Sequence, residues 1–277
     1  MPGVRTRPLA VPYGPCDSQS AEVYVPRGAG PHPVVALLHG GLWRASQNRE
    51  SMRPLARNLV RQGYAVLNLE YRRIGEPGAG WPGTFLDAVD GVGLAARPLP
   101  PRYPRLDPSR VAIVGHCSGG HLALWAAAWL SGLWLGSEWI GPARSEPSGD
   151  RIGVRAVVAL GAVTDLHALD LSAPLVPASA AAELLGGARL AVGGRYRLGS
   201  PLDLLPMGRE VAQLLVHGDA DDIVPIEHSL RYARAAEQVG DRVSVARMRG
   251  MGHFDMLDPG HEAWRLTLRH LSEHLAR

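Results

Sequence analysis

The chain has 277 residues and a formal charge of +3, with 46% hydrophobic and 20% charged residues, which is a globular composition and excludes a disordered or collagen-like chain. All 29 basic side chains are arginine, scattered singly or in pairs. The clustered basic stripe of a nucleic-acid binder is missing, so no nucleic-acid partner is expected.

The predicted elements alternate along the chain. A strand is expected at Val34–Leu38, a helix over Asn48–Gln62, a strand at Ala65–Leu69 and a helix over Thr84–Ala96. A strand at Val111–Val114 and a helix over Gly119–Leu130 follow, then strands at Ala156–Leu160 and Leu214–Val216. A helix over Glu227–Val239, a strand at Val243–Ala246 and a helix over His261–Leu275 complete the series. Short, continuous apolar strands separated by helices imply one α/β domain over residues 1–277, built on a doubly wound, mostly parallel sheet.

Cys117 to Ser137 contains no Asp, Glu, Lys or Arg. Gly119, Gly120, Gly132, Gly136 and His121 interrupt it, so it reads as a buried helix and no membrane partner is expected. Cys16 and Cys117 cannot form a disulfide framework, and Met1 to Cys16 holds no apolar run; a cytoplasmic location is expected. The long connections are Ser131–Gly153 and Ala162–Met207, rich in Gly, Pro and Ser.

In a doubly wound sheet, ligands bind beyond the C-terminal strand ends. The third strand of this series runs into Val-Gly-His-Cys-Ser-Gly-Gly-His, residues 114–121. Gly115-x-Cys117-x-Gly119 has the spacing of a nucleophile elbow, a sharp strand-to-helix turn that lifts one side chain above the sheet. Cysteine takes the apex where serine is commoner, and Ser118 is out of register because His116 stands where a glycine is needed. A cysteine suits a thioester substrate or an acceptor other than water, and an introduced replacement for serine would occupy the same apex.

His39-Gly40-Gly41-Leu42-Trp43 follows the first strand of the series, and its glycines allow backbone amides to converge on a reacting oxygen. Candidate donors are the amides of Gly41, Leu42 and Ser118. His217-Gly218-Asp219-Ala220-Asp221-Asp222 and Gly252-His253-Phe254 end two later strands. The chain order is nucleophile, acid, histidine, as expected for such a site. The acid is left open among Asp219, Asp221 and Asp222 by position alone.

Together these motifs resemble the α/β-hydrolases, and most closely the small carboxylesterases and formamidases with an HGG-x-W oxyanion motif. The likeness covers roughly Val34 to Leu275. Cysteine at the elbow also occurs in dienelactone hydrolases, which resemble this chain less elsewhere. The resemblance places the acid at Asp221 and the histidine at His253. It implies acyl transfer through a thioester on Cys117, with His253 moving the proton and Asp221 holding the imidazole. The leading reading is hydrolysis of a small-molecule carboxylic ester, thioester or amide. The alternatives are a biosynthetic acyltransferase or cyclase using the same Cys-His-Asp triad, and a non-catalytic binding protein. No cofactor is implied: neither a Gly-x-Gly-x-x-Gly strand–helix unit nor a Walker motif is present.

Some residues carry a simpler reading. His39 and His116 lack the spacing of metal ligands and are expected to brace loops, no metal site is expected, and His121 is read as structural. Glu70 and Arg72 either form an ion pair at the pocket or lie in a solvated loop. Trp125 and Trp129, four apart on one helix, are expected in the core. Trp43, Trp81 and Phe254 lie on active-edge loops and are expected to line the substrate pocket, with residues 162–207 as a small helical cap over it. Trp134 and Trp139 follow a helix that runs away from the active edge. They are expected far from Cys117, where a homodimer contact is open to them.

Overall fold

The computed structural model describes residues 7–101, 103–132, 152–172 and 179–276. Among these, eight strands form one sheet: β1 (Leu9–Pro12), β2 (Ser20–Tyr24), β3 (His32–Leu38), β4 (Ala65–Leu69), β5 (Leu106–His116), β6 (Val154–Leu160), β7 (Ala212–Gly218) and β8 (Val243–Met248). Their order across the sheet is β1-β2-β4-β3-β5-β6-β7-β8. The β1–β2 and β2–β4 pairs are antiparallel and every other pair is parallel. This is the α/β-hydrolase fold.

The six expected strands are all present, and β1 and β2 are additional. Both are short, and Pro12 and Glu22 break the apolar run that marks a buried strand. Glu22 is tolerated on β2 because Arg53 (2.6 Å) and Asn68 (3.2 Å) hold its carboxylate.

Alternation along the central strands sorts side chains into two cores. Val34, Ala36 and Leu38 of β3 enter one apolar cluster, and Val35 and Leu37 enter the other. The first cluster is covered by α2 (Gly83–Val92), α3 (Ser118–Ser131) and α7 (Glu227–Gln238). The second is covered by α1 (Arg53–Arg61) and α8 (Glu262–Leu275). The predicted start of a helix at Asn48 is a 3-10 turn capped by the Asn48 side chain, and α1 proper begins where Pro54 occupies its first turn.

The long connection after β6 contains α4 (Leu166–Ser172), α5 (Ser179–Leu185) and α6 (Arg189–Gly199). These helices lie beside α2 and α3. His121 Nε2 donates to Gly199 O at 2.8 Å, and Trp125 Nε1 donates to Leu198 O at 2.9 Å. Trp125 is fully buried and stacks on Trp129 at 5.4 Å, as their helical spacing predicts. Trp134 and Trp139 lie outside the described residues. No helix among the described residues is long and apolar enough to cross a membrane.

Candidate active site

Cys117 sits between the last residue of β5 and the first residue of α3, at φ +56° and ψ −121°, a region that L-residues rarely occupy. The strained turn is held by Cys117 N–H donating to Leu160 O (2.8 Å) and by His121 N–H donating to Cys117 O (3.1 Å). Gly115 and Gly119 are needed for close approach. A Cβ on Gly115 would collide with Gly119 O, and one on Gly119 would collide with the carbonyl oxygens of Leu38 and His39. The spacing read in the sequence therefore lets α3 start directly against the ends of β5 and β3.

His253 follows β8 and is almost wholly buried. Its Nδ1 donates to Asp221 Oδ2 at 2.7 Å, and its ring shares the cleft lining with Cys117. Burial by itself would lower the His253 pKa; the Asp221 carboxylate and Cys117 override it and push the value up to about 10. Burial likewise disfavours charge on Asp221. Hydrogen bonds from His217, His253 and the Val224 amide overcome it and hold the carboxyl well below the usual carboxylate range.

Among the three acids left open by position, only Asp221 meets the histidine. Asp219 instead accepts from Gly250 N–H at 2.6 Å, and Asp222 is exposed.

The loop after β3 carries two non-glycine residues with positive φ, Leu42 (+54°) and Trp43 (+58°). Arg44 N–H donates to Gly41 O (3.0 Å), Ile74 N–H to Trp43 O (2.7 Å) and Trp43 N–H to Ser118 Oγ (3.3 Å). Among the described residues, the amides of Leu42 and Ser118 find no protein acceptor. His39 anchors the loop from behind. Its Nε2 donates to Glu70 Oε1 at 2.6 Å, its ring stacks on Tyr71 at 4.4 Å, and Tyr71 Oη donates to His39 O at 2.8 Å.

A cleft of about 300 Å³ opens over Cys117. Its lining is mixed, with apolar Leu42, Ile223, Phe254 and Leu257 and polar Arg44, Ser46, Gln47 and Ser51.

The structure thus brings together Cys117, His253, Asp221 and the amides of Leu42 and Ser118, with Gly41 in the cleft wall. Phe254, 65% exposed, stands at the rim as expected. Trp43 and Trp81 do not line the cleft. The positive φ at Trp43 turns its ring inward, 0% exposed and edge-on to His121 at 5.1 Å. Trp81 packs edge-on against Phe85 (4.9 Å) and Trp125 (6.5 Å).

Among the described residues, none of 162–207 lines the cleft. The reach of this segment into the region is indirect, through Glu183 holding Arg44 at 2.8 Å. Glu70 and Arg72 do not pair with each other. Glu70 takes His39 and Arg73, and Arg72 takes Asp87 at 2.7 Å.

Two histidines near the acid and base were not assigned a place there from sequence. His116 Nε2 donates to His253 O at 2.9 Å, and burial and the adjacent His253 push its pKa down to about 3, so it stays neutral. His217 Nε2 lies 3.3 Å from Asp221 Oδ2. The available signal for His217 was its position four residues before the acid, at the end of the same strand.

Fold and site define an enzyme of the esterase-type α/β-hydrolase class. Within it, the chain belongs to the BD-FAE family, whose pattern matches residues 21–235. A truncated carbohydrate esterase from gut microbiota superposes with a TM-score of 0.79 at 22% identity, covering 100% of this chain and 99% of that one. The propionate-bound esterase Est2 of the Planctomycetes species Thermogutta terrifontis gives 0.72 at 19% identity, covering 98% and 94%. In sequence, the chain is similar to the non-reducing polyketide synthase atr1 of Stereocaulon alpinum, 23% identical over 84% of this chain and 11% of the synthase. The chain matches no more than 11% of the length of the polyketide synthases it resembles.

Proposed function

We propose that the protein is an acyl hydrolase that cleaves a small-molecule carboxylic ester or thioester through an acyl-thioester on Cys117. The observation that carries this reading is the continuous arrangement of the Cys117 thiol, the His253 ring and the Asp221 carboxylate at the floor of the cleft. The thiol proton passes to His253 Nε2, and the resulting thiolate, paired with the charged ring, attacks the substrate carbonyl carbon. The amides of Leu42 and Ser118, with Gly41 beside them, receive the developing oxyanion, each donor contributing about 10²–10³ in rate. Collapse of the tetrahedral intermediate breaks the bond to the leaving group, which takes the His253 proton. Water, deprotonated by the same ring, then releases the acid and restores the thiol.

Asp221 keeps Nδ1 protonated, so Nε2 faces the sulfur. The mixed apolar and polar lining of the cleft fits a substrate with both an apolar and a polar part. The similarity to a carbohydrate esterase favours a sugar hydroxyl as the alcohol. Helices α4–α6 serve as a partial cap, coupled to the oxyanion loop through Arg44 and Glu183.

A second reading has one observation in its favour, the similarity to synthases. Here a bound hydroxyl, amine or thiol takes the acyl group from Cys117 in place of water. Both readings are tested by intact-mass analysis after exposure to p-nitrophenyl esters and acyl-thioesters, with and without an added nucleophile. A transient acyl adduct lost in Cys117→Ala is expected, with free acid as product. Acyl transfer to the nucleophile in preference to water would establish the second reading. No adduct with any ester or thioester would reject both and leave the binding-protein reading.

A further inference from the structure

His217 lies near the end of β7 and is wholly buried. Its Nδ1 is 2.7 Å from Ser229 Oγ on α7. Its Nε2 is 2.8 Å from Val224 O and 3.3 Å from Asp221 Oδ2. Both neighbours of Nε2 are acceptors, so Nε2 carries the hydrogen, directed at Val224 O with Asp221 Oδ2 the more distant neighbour, which leaves Nδ1 to accept from the Ser229 hydroxyl.

The consequence falls on the carboxylate. Asp221 Oδ1 receives the amides of Ile223 (3.0 Å) and Val224 (2.9 Å). With one oxygen pinned, the carboxylate can still swing about it. A donor on Oδ2 fixes its plane, and His217 supplies that donor from the protein interior while His253 uses the same oxygen from the cleft side. The other titratable groups facing this cluster are His116 and His228. A ring needed only to fill space would require no hydrogen on a particular nitrogen and no hydroxyl partner to set it.

We propose that His217 is a positioning residue for acyl transfer: held by Ser229, it orients Asp221 so that Oδ2 faces His253 Nδ1. This inference rests on the triad reading above.

The experiment combines His217→Phe, which keeps a ring and removes both nitrogens, with His217→Gln, which restores an N–H donor. Each is made alone and together with Asp221→Asn. Readouts are kcat and KM for p-nitrophenyl butyrate, thermal melting, and the hydrogen-bonded His253 Nδ1 proton in the NMR spectrum. His217→Phe is expected to lower kcat by roughly 10–100-fold and shift the His253 proton, with KM within about two-fold. His217→Gln recovers most of the loss, and Ser229→Ala shows a smaller version of it. In the Asp221→Asn background, His217→Phe costs less than about two-fold more, because residues acting through one another are not additive.

Equal losses in both backgrounds, a change confined to KM or melting, or a glutamine variant no better than phenylalanine would overturn the proposal. If His217→Phe fails to fold, Ser229→Ala and His217→Gln decide, through the His253 proton. A wild-type protein that forms no adduct at Cys117 would reject the triad reading, while the NMR shift would still report whether His217 orients Asp221.

Discussion

Asp221→Asn replaces one atom and tests the logic of the site. Asp221 Oδ1 keeps its role in the variant, because the amide oxygen still accepts from Ile223 and Val224 N–H at 3.0 and 2.9 Å. The Oδ2 position becomes an NH₂ group facing His253 Nδ1, 2.7 Å away. Two donors cannot share that contact, so the imidazole adopts the tautomer with hydrogen on Nε2, and the face towards Cys117 becomes a donor. Loss of tautomer control of this kind lowers kcat by about 10⁴, or roughly 5 kcal/mol in the barrier.

The same substitution removes the charge that holds the His253 pKa up at about 10. Burial is then opposed by Cys117 alone, and the His253 pKa falls. The sign of the stability effect follows. The raised His253 pKa adds stability in full below about pH 6.5 and loses it as pH rises through about 10. The depressed Asp221 pKa adds stability above about pH 4 and loses it as pH falls towards the folded value.

The melting difference between wild type and Asp221→Asn should therefore be largest near pH 5–6, on the order of 3 kcal/mol, and shrink by pH 10. Stopped-flow hydrolysis of p-nitrophenyl butyrate measures the first effect; calorimetry across pH measures the second. A variant within ten-fold of wild type, with His253 still titrating near 10, would refute the account. Asp222→Asn, at an exposed position, is the control and should change neither quantity.

Gly119→Ala drives a methyl group into the carbonyl oxygens of Leu38 and His39. It should cost about 3 kcal/mol or more, visible as a fall in denaturant midpoint, and a variant as stable as wild type would contradict the close approach of α3 to β3. Phe254→Ala should raise KM for aromatic acyl esters while changing stability by less than about 0.5 kcal/mol, since the ring is 65% exposed at the cleft rim. Trp43→Ala should do the reverse in stability, costing about 3–5 kcal/mol by urea unfolding because the ring is 0% exposed. Cys117→Ser should still be acylated by p-nitrophenyl acetate, now as an ester whose turnover mass spectrometry follows; an acyl adduct on any other residue would displace Cys117 as the attacking atom.

Sequence alone determined the parallel sheet, the two-sided helical cover and the strand ends that carry Cys117, Asp221 and His253. These features depend on local rules: short continuous apolar runs, helix-length stretches between them, and the glycine spacing of a tight turn. Each is satisfied within a few residues of chain. The first two strands were not legible because both are short and depend on distant partners: β1 pairs with β2, β2 with β4, and Glu22 of β2 with Arg53 of α1, 31 residues away in the chain.

Tertiary structure alone decided which way the aromatic rings face, and it is what brings Asp221, the acid that the resemblance pointed to, onto the histidine. Trp43 and Phe254 both sit on loops at the active edge, yet one backbone angle sends the first into the core and leaves the second at the rim. Asp219, Asp221 and Asp222 are within four residues of each other, and only the turn formed by the Ile223 and Val224 amides aims one of them at His253. The interior contact of His217 on that same carboxylate likewise arises from a fold-back of β7 residues against Val224 and α7. Side-chain direction in an irregular loop depends on contacts distant in the chain, and no local pattern encodes it.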